Sequence, residues 1–209
     1  LAVENIRSKE LLKKKGINPA ESITLDQGCS SMVTSQRLQE CLEGVVVAMD
    51  IDSPEDIIKR VGGRKVRSDE DHAYIPVLDE RLQFRQSNMT TDFHEELAVK
   101  GVDIIRHANV LHYLDKEAFF KTVKNVFHYA AQNPKRLLYH VSKSDTSHPG
   151  LFDQLIFDIG GKTPADWKLA YVGYLSSATN KEHNPRFSLQ ERVKLEEEIS
   201  DRAIKIRES

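Results

Sequence analysis

Two short runs, Ile23 to Ser31 and Val45 to Asp52, constrain the fold of this chain more than anything else in it. The first reads as an apolar strand that breaks at Gly28. The second reads as a β-branched strand that ends in acid at Asp50. Between them, Val33 to Leu42 suits a helix, and Gly44 closes it. A strand, a helix and a strand of these lengths form a β-α-β unit, which makes the two strands parallel. A glycine at the first strand exit lets a ligand approach the backbone. A carboxylate at the second exit accepts the hydroxyls of a ribose. The layout suits a nucleoside-containing ligand.

The same rhythm continues downstream. Leu82 to Ser87, Val102 to His107 and Arg136 to Val141 read as further strands. Asp92 to Lys100 reads as a short helix closed by Gly101. Asp115 to Gln132 reads as a strong helix capped by Asp115, with Phe119, Val123, Val126, Phe127 and Ala130 as its buried stripe. Ser53, Pro54, Glu55 and Asp56 make a helix start: a serine cap, a proline at the first position, and acids against the positive helix end. That helix runs to Val61 and stops at Gly62. Upstream, Val3 to Lys15 is an amphipathic helix stopped by Gly16, with the strand Ser22 to Asp26 after it. Arg64 to Glu80 is polar and irregular, with room for a short edge strand at Tyr74 to Leu78.

The rhythm changes near Ser144. Leu151 to Ile159 fits helix or strand, Leu169 to Leu175 alternates like a strand, and Ser188 to Ile206 reads as a charged helix with a capping box from Ser188 to Glu191. The expected fold is a three-layer α/β/α doubly wound, mostly parallel, Rossmann-like sheet. It makes one domain over residues 1–209 with a core of about 22–143. Ligands on such sheets bind at the carboxyl ends of the strands. That gathers five loops: Gly28 to Ser31, Asp50 to Ser53, Ser87 to Thr91, His107 to Asp115, and Ser142 to His148.

Bulk properties exclude several classes. A net charge of −2 disfavours a nucleic-acid partner. Cys29 and Cys41 make neither a disulfide framework nor a metal site, and His140, His148 and His183 have no ligand spacing, so no metal is expected. No apolar run reaches the ~20 residues needed to span a bilayer. No signal peptide is legible, because Lys13 to Lys15 follow Leu11 and Leu12 where an apolar segment would continue. The expected location is cytoplasmic. The chain starts at Leu1 without methionine, which is compatible with a fragment or a processed form.

From Ser22 to Lys143 the chain resembles the class I S-adenosylmethionine-dependent methyltransferases. Leu25 to Cys29 resembles the family's first motif, an acid two residues before a glycine. Asp50 matches the acid that holds the ribose. Phe84 to Met89 resembles the third-strand motif that contacts adenine, with Asn88 in place of the usual aspartate. Val102 to Leu114 resembles the fourth strand and the turn into the next helix. The resemblance implies S-adenosylmethionine as cofactor and Asp26, Gly28, Cys29, Ser30, Asp50, Ile51, Asn88, Met89 and His107 as its contacts. His107 is the candidate base or orienting group, while His112 and Tyr113 are expected to anchor the following helix. Asp145 and His148, after the fifth strand, are weaker candidates for reaching a substrate. One departure stands out: only Gly28 survives of the glycine-rich loop. Met32 lies where the third glycine would fall and is expected to crowd the methionine end of the cofactor.

Three functions follow. The first is methyl transfer to a small-molecule or protein acceptor. The second is a non-catalytic methyltransferase-like binding domain, suggested by the loop from Gly28 to Met32. The third and weakest is a dinucleotide-dependent oxidoreductase, for which the loop lacks the second glycine of a pyrophosphate cradle. The acceptor and the oligomeric state are not legible in the sequence.

Overall fold

The computed structural model describes residues 3–29, 32–53, 55–57, 78–133, 135, 137–144, 151–159 and 167–176. Four α-helices carry labels below: α1 (Val3–Lys14), α2 (Val33–Leu42), α3 (Glu95–Lys100) and α4 (Lys116–Gln132). The strands are β1 (Ile23–Gln27), β2 (Val45–Asp50), β3 (Leu82–Gln86), β4 (Ile104–Ala108), β5 (Leu137–Ser144), β6 (Leu151–Ile159) and β7 (Lys168–Ser176). They form a seven-stranded sheet in the order β3-β2-β1-β4-β5-β6-β7. Strands β1 to β5 are mutually parallel, and β6 and β7 close the β5 edge as an antiparallel pair. The expected doubly wound α/β/α sheet is the fold observed. The order reverses between β1 and β4, so the switch point lies at the exits of those two strands.

Successive residues in each strand go to opposite layers. Val46, Ile104 and Leu138 pack with Leu12 of α1 and with Leu38 and Leu42 of α2. Val47, Ile105 and Leu137 pack with Leu97 of α3 and with Val126 and Tyr129 of α4. Both faces of the parallel strands are therefore covered, which is why their sequences read as unbroken apolar runs. Each fully buried aliphatic side chain contributes roughly 1.5–3 kcal/mol.

Several local expectations are refined. Leu151–Ile159 is a strand paired residue for residue with β5, from Leu137 opposite Ile159 to Ser144 opposite Phe152. Lys168–Ser176 supplies the seventh strand. Asp115 caps α4 by accepting from the Ala118 N–H at 2.8 Å. The buried stripe of α4 is rotated from the expected one: Thr122, Val126, Tyr129 and Ala130 are buried, while Phe119 and Phe120 are exposed. Helix α2 ends at Glu43, which takes the left-handed conformation at φ 65°. Gly44 is required for another reason: a Cβ there would lie 2.6 Å from the carbonyl oxygens of Pro19 and Ser22. Ser53 caps a helix start at Glu55 to Ile57, its hydroxyl accepting from the Asp56 N–H. The rest of that helix, most of the edge-strand candidate at 74–78, and the helix expected at 188–206 lie outside the described residues.

Candidate functional site

A cavity of about 500 Å³ opens at the carboxyl ends of β1 to β4. This size is within the range of ligand pockets. Four of the five expected loops meet there. Gln27 and Gly28 come from the β1 exit, and Met49, Asp50 and Ile51 from β2. Ser87, Asn88, Met89 and Thr90 follow β3, and Ala108, Asn109, Val110, Tyr113 and Leu114 follow β4. In the fifth loop, residues 145–150, Asp145 and His148 among them, lie outside the described residues.

Gly28 is held at φ 75°, and a Cβ there would meet Val110 Cγ2 at 2.6 Å. Conformation and space both exclude a side chain. Val110 reaches this position because Asn109 before it adopts φ 55°. The N–H groups of Gly28 and Cys29 both donate to the Met49 carbonyl, at 2.8 and 3.0 Å. The turn is thus bonded to β2, and neither N–H is presented to a ligand.

Asp50 ends β2 at 9% exposure, with its backbone carbonyl accepting from the Ser87 N–H at 2.8 Å. One carboxylate oxygen accepts from the Asp52 N–H at 3.2 Å. This contact orients the group at the cavity edge. Ile51 and Met89 line the same cavity as apolar surface. Asn88 folds into a turn in which its Oδ1 accepts from the Thr90 N–H at 3.0 Å and the Thr90 hydroxyl at 2.8 Å.

Three of the described expected contacts, Asp26, Cys29 and His107, are not among the cavity-lining residues. Asp26 is buried on the α2 face, where it pairs with Arg106 at 3.0 Å and accepts from the Ser35 hydroxyl at 2.6 Å. It ties β1 to β4 and α2. Cys29 packs with Met32, Ala48 and Phe84, so Met32 is buried in that cluster and is not among the cavity-lining residues. The expectation that Met32 crowds a ligand is not met. Ser30 lies outside the described residues.

His107 is fully buried. Its Nε2 lies 2.6 Å from Gln27 Oε1 and its Nδ1 2.8 Å from the Tyr139 hydroxyl. The amide oxygen only accepts, so Nε2 carries the proton and Nδ1 accepts from Tyr139. Burial pushes the His107 pKa down to about 3 and raises that of Tyr139. A neutral imidazole with its lone pair already engaged is not a base for a substrate. The role expected of His107 is corrected to holding Gln27, which does line the cavity. Tyr113 is corrected in the opposite sense. It stands 77% exposed at the cavity edge, its ring 3.9 Å from that of His112.

The residues present fit an adenosine group: an oriented acid, a side-chain-free turn, two apolar side chains for a base, and a polar turn beside them. Among the described residues, no group of histidine, cysteine and acidic side chains suits a metal ion, and no helix is long and apolar enough to cross a membrane.

No family model and no curated protein matches this chain. Similar solved structures include the 1,6-didemethyltoxoflavin-N1-methyltransferase of Burkholderia thailandensis, at 16% identity over 72% of this chain and 55% of that one, TM-score 0.43. An S-adenosylmethionine-dependent methyltransferase from Mesorhizobium loti matches at 14% identity over 64% and 52%, TM-score 0.39. A protein described as a zinc-dependent alcohol dehydrogenase from Rhodobacter sphaeroides matches at 12% identity over 66% and 46%, TM-score 0.42. This chain spans about half the length of each. The architecture rests on its own strand order: five parallel strands with an antiparallel pair at one edge, a doubly wound α/β/α sheet.

Proposed function

We propose that the cavity binds S-adenosylmethionine and that the chain is a methyltransferase acting on a small-molecule or protein acceptor. One observation carries this reading: Gly28 and Asp50, at the exits of neighbouring strands, line a single cavity beside the topological switch point. When bound, the cofactor supplies an electrophilic methyl group. The residues bind and orient. Asp50 takes the ribose hydroxyls, Ile51 and Met89 hold the base, and Gly28 admits the chain of atoms beyond the ribose. Catalysis of this kind depends mainly on positioning, worth up to ~7–11 kcal/mol of barrier.

The non-catalytic alternative expects a cavity filled at Met32, and the burial of Met32 away from it weakens that reading. A dinucleotide would need backbone donors at the first turn. The Gly28 and Cys29 N–H groups are bonded to Met49, which disfavours it.

Titration calorimetry with S-adenosylhomocysteine tests the reading. Saturable binding is expected, and Asp50→Ala should weaken it by about 10- to 100-fold, the value of hydrogen bonds to a charged group. No heat at millimolar ligand from folded protein would sink the proposal.

A further inference from the structure

A second cavity, of about 410 Å³, lies at the opposite end of the sheet, where β1 and β4 begin. The adenosine reading makes no use of it, yet its size is again that of a ligand pocket. Helices α1, α3 and α4 all end beside it, at Gly16, Gly101 and Gln132. The last carbonyls of a helix have no partner inside it, so each of these ends carries partial negative charge. Gly16 and Gly101 leave the space open: a Cβ on either would meet nothing within 4 Å beyond its chain neighbours.

Asp103 adds a full negative charge to this wall. One of its carboxylate oxygens accepts from the Ile23 N–H at 3.0 Å, which fixes the group against β1. The other has no hydrogen bond or ion pair among the described residues. Burial raises the Asp103 pKa, and Lys135 and Lys15 only oppose that rise. Lys15 is itself committed to Asp158 at 2.7 Å. A positive group set at the open oxygen would meet the carboxylate and the helix ends together.

A bare cation does not satisfy the rest of the wall. Lys100 and Lys135 line the same cavity, both exposed, against the acids Asp103 and Glu21. Two lysines and two acids cancel, so the complement is a molecule with one charge of each sign. Ile17, Ile23 and Val99 supply apolar surface between them.

We propose that this cavity binds a free amino acid with an aliphatic side chain. Its ammonium group sits on Asp103 and the helix carbonyls, its carboxylate faces Lys100 and Lys135, and its side chain lies on Ile17, Ile23 and Val99. Charge-assisted hydrogen bonds to a partly buried carboxylate supply most of the affinity. The two lysines are exposed and screened, so they add selectivity for the zwitterion over a simple amine. The site is separate from the adenosine cavity and does not depend on that reading.

The test is an amide NMR titration with L-leucine, its decarboxylated form isoamylamine and its deaminated form isocaproate. Leucine at millimolar concentration should shift the signals of Ile23, Gly101 and Asp103 saturably and leave those of Gly28 and Asn109, at the other cavity, in place. Isocaproate should bind about tenfold more weakly or worse, and isoamylamine about threefold. Asp103→Asn keeps an acceptor for the Ile23 N–H and removes the charge, so leucine affinity should fall by about tenfold or more. The double variant Lys100→Gln with Lys135→Gln should bring leucine down to the affinity of isoamylamine. The absence of these shifts overturns the proposal. So does isoamylamine binding as tightly as leucine, or leucine binding unchanged in Asp103→Asn. Should Asp103→Asn not fold, unchanged leucine binding in the double lysine variant overturns it equally.

Discussion

A histidine held between a tyrosine hydroxyl and a glutamine oxygen gains nothing from a second proton, which would lose the Tyr139 bond and bury a charge. His107 is in this position, and His140 is equally buried beside the positive Arg106, its pKa pushed well below the ordinary value by burial and then by that charge. Both therefore fold neutral. In the unfolded chain they titrate near ~6.5. The unfolded state then binds protons that the folded state refuses, so stability is complete above about pH 6.5 and is lost as the pH falls toward the folded value of about 3 for His107. Each histidine adds a slope approaching ~1.4 kcal/mol per pH unit. Urea unfolding between pH 7 and 4.5 should show this loss, and His107→Gln should flatten it by about one histidine's share. Carboxylate contributions are common to both proteins and cancel in the comparison. An unchanged slope in the variant would show that His107 is not held neutral.

Between elements, the Asp26–Arg106 pair does what apolar packing does elsewhere on the α1 and α2 face. It is almost fully buried, and Asp26 also takes the Ser35 hydroxyl of α2. Removing one partner leaves a buried charge alone, so Asp26→Ala should cost about 3–5 kcal/mol in chemical denaturation. The double variant Asp26→Leu with Arg106→Met should recover most of that, because two apolar side chains need no counter-charge. A double variant no more stable than the single one would refute the account. The pair also marks where sequence reading stops. Strands β1, β2 and β4 are legible because each is an apolar run bounded by polar residues, and their exits follow, which is why Gly28 and Asp50 are legible too. Leu151–Ile159 is ambiguous because its apolar residues suit helix and strand alike, and pairing with β5 decides. Asp26 lies in the expected motif but on the opposite face from the cavity, a distinction that only strand register makes. Tyr113 and Val110 reach the cavity through a loop that turns at Asn109, and a left-handed asparagine has no compulsory sequence signal.

At the scale of the molecule, the cavity gathers the exits of β1, β2, β3 and β4 around one volume, so a ligand there bears on four parallel strands at once. Anything that binds the folded chain and not the unfolded one stabilises it by mass action, by ~2.7 kcal/mol at a hundredfold excess over Kd. For a chain of 209 residues that corresponds to a rise in Tm of roughly 5–10 °C. S-adenosylhomocysteine should produce such a rise, and Asp50→Ala at the same ligand concentration should lose most of it. Nicotinamide adenine dinucleotide is the informative contrast, because it carries the same adenosine but also a pyrophosphate. The Gly28 and Cys29 N–H groups that would face that pyrophosphate are bonded to the Met49 carbonyl. A dinucleotide that draws on those two N–H groups must first break their hydrogen bonds to β2. The expected order of thermal shifts at equal concentration is S-adenosylhomocysteine, then adenosine, with the dinucleotide no higher than adenosine. A dinucleotide shift that exceeds the adenosine shift would mean that the first turn reopens to receive phosphate, and would move the chain to the oxidoreductase reading.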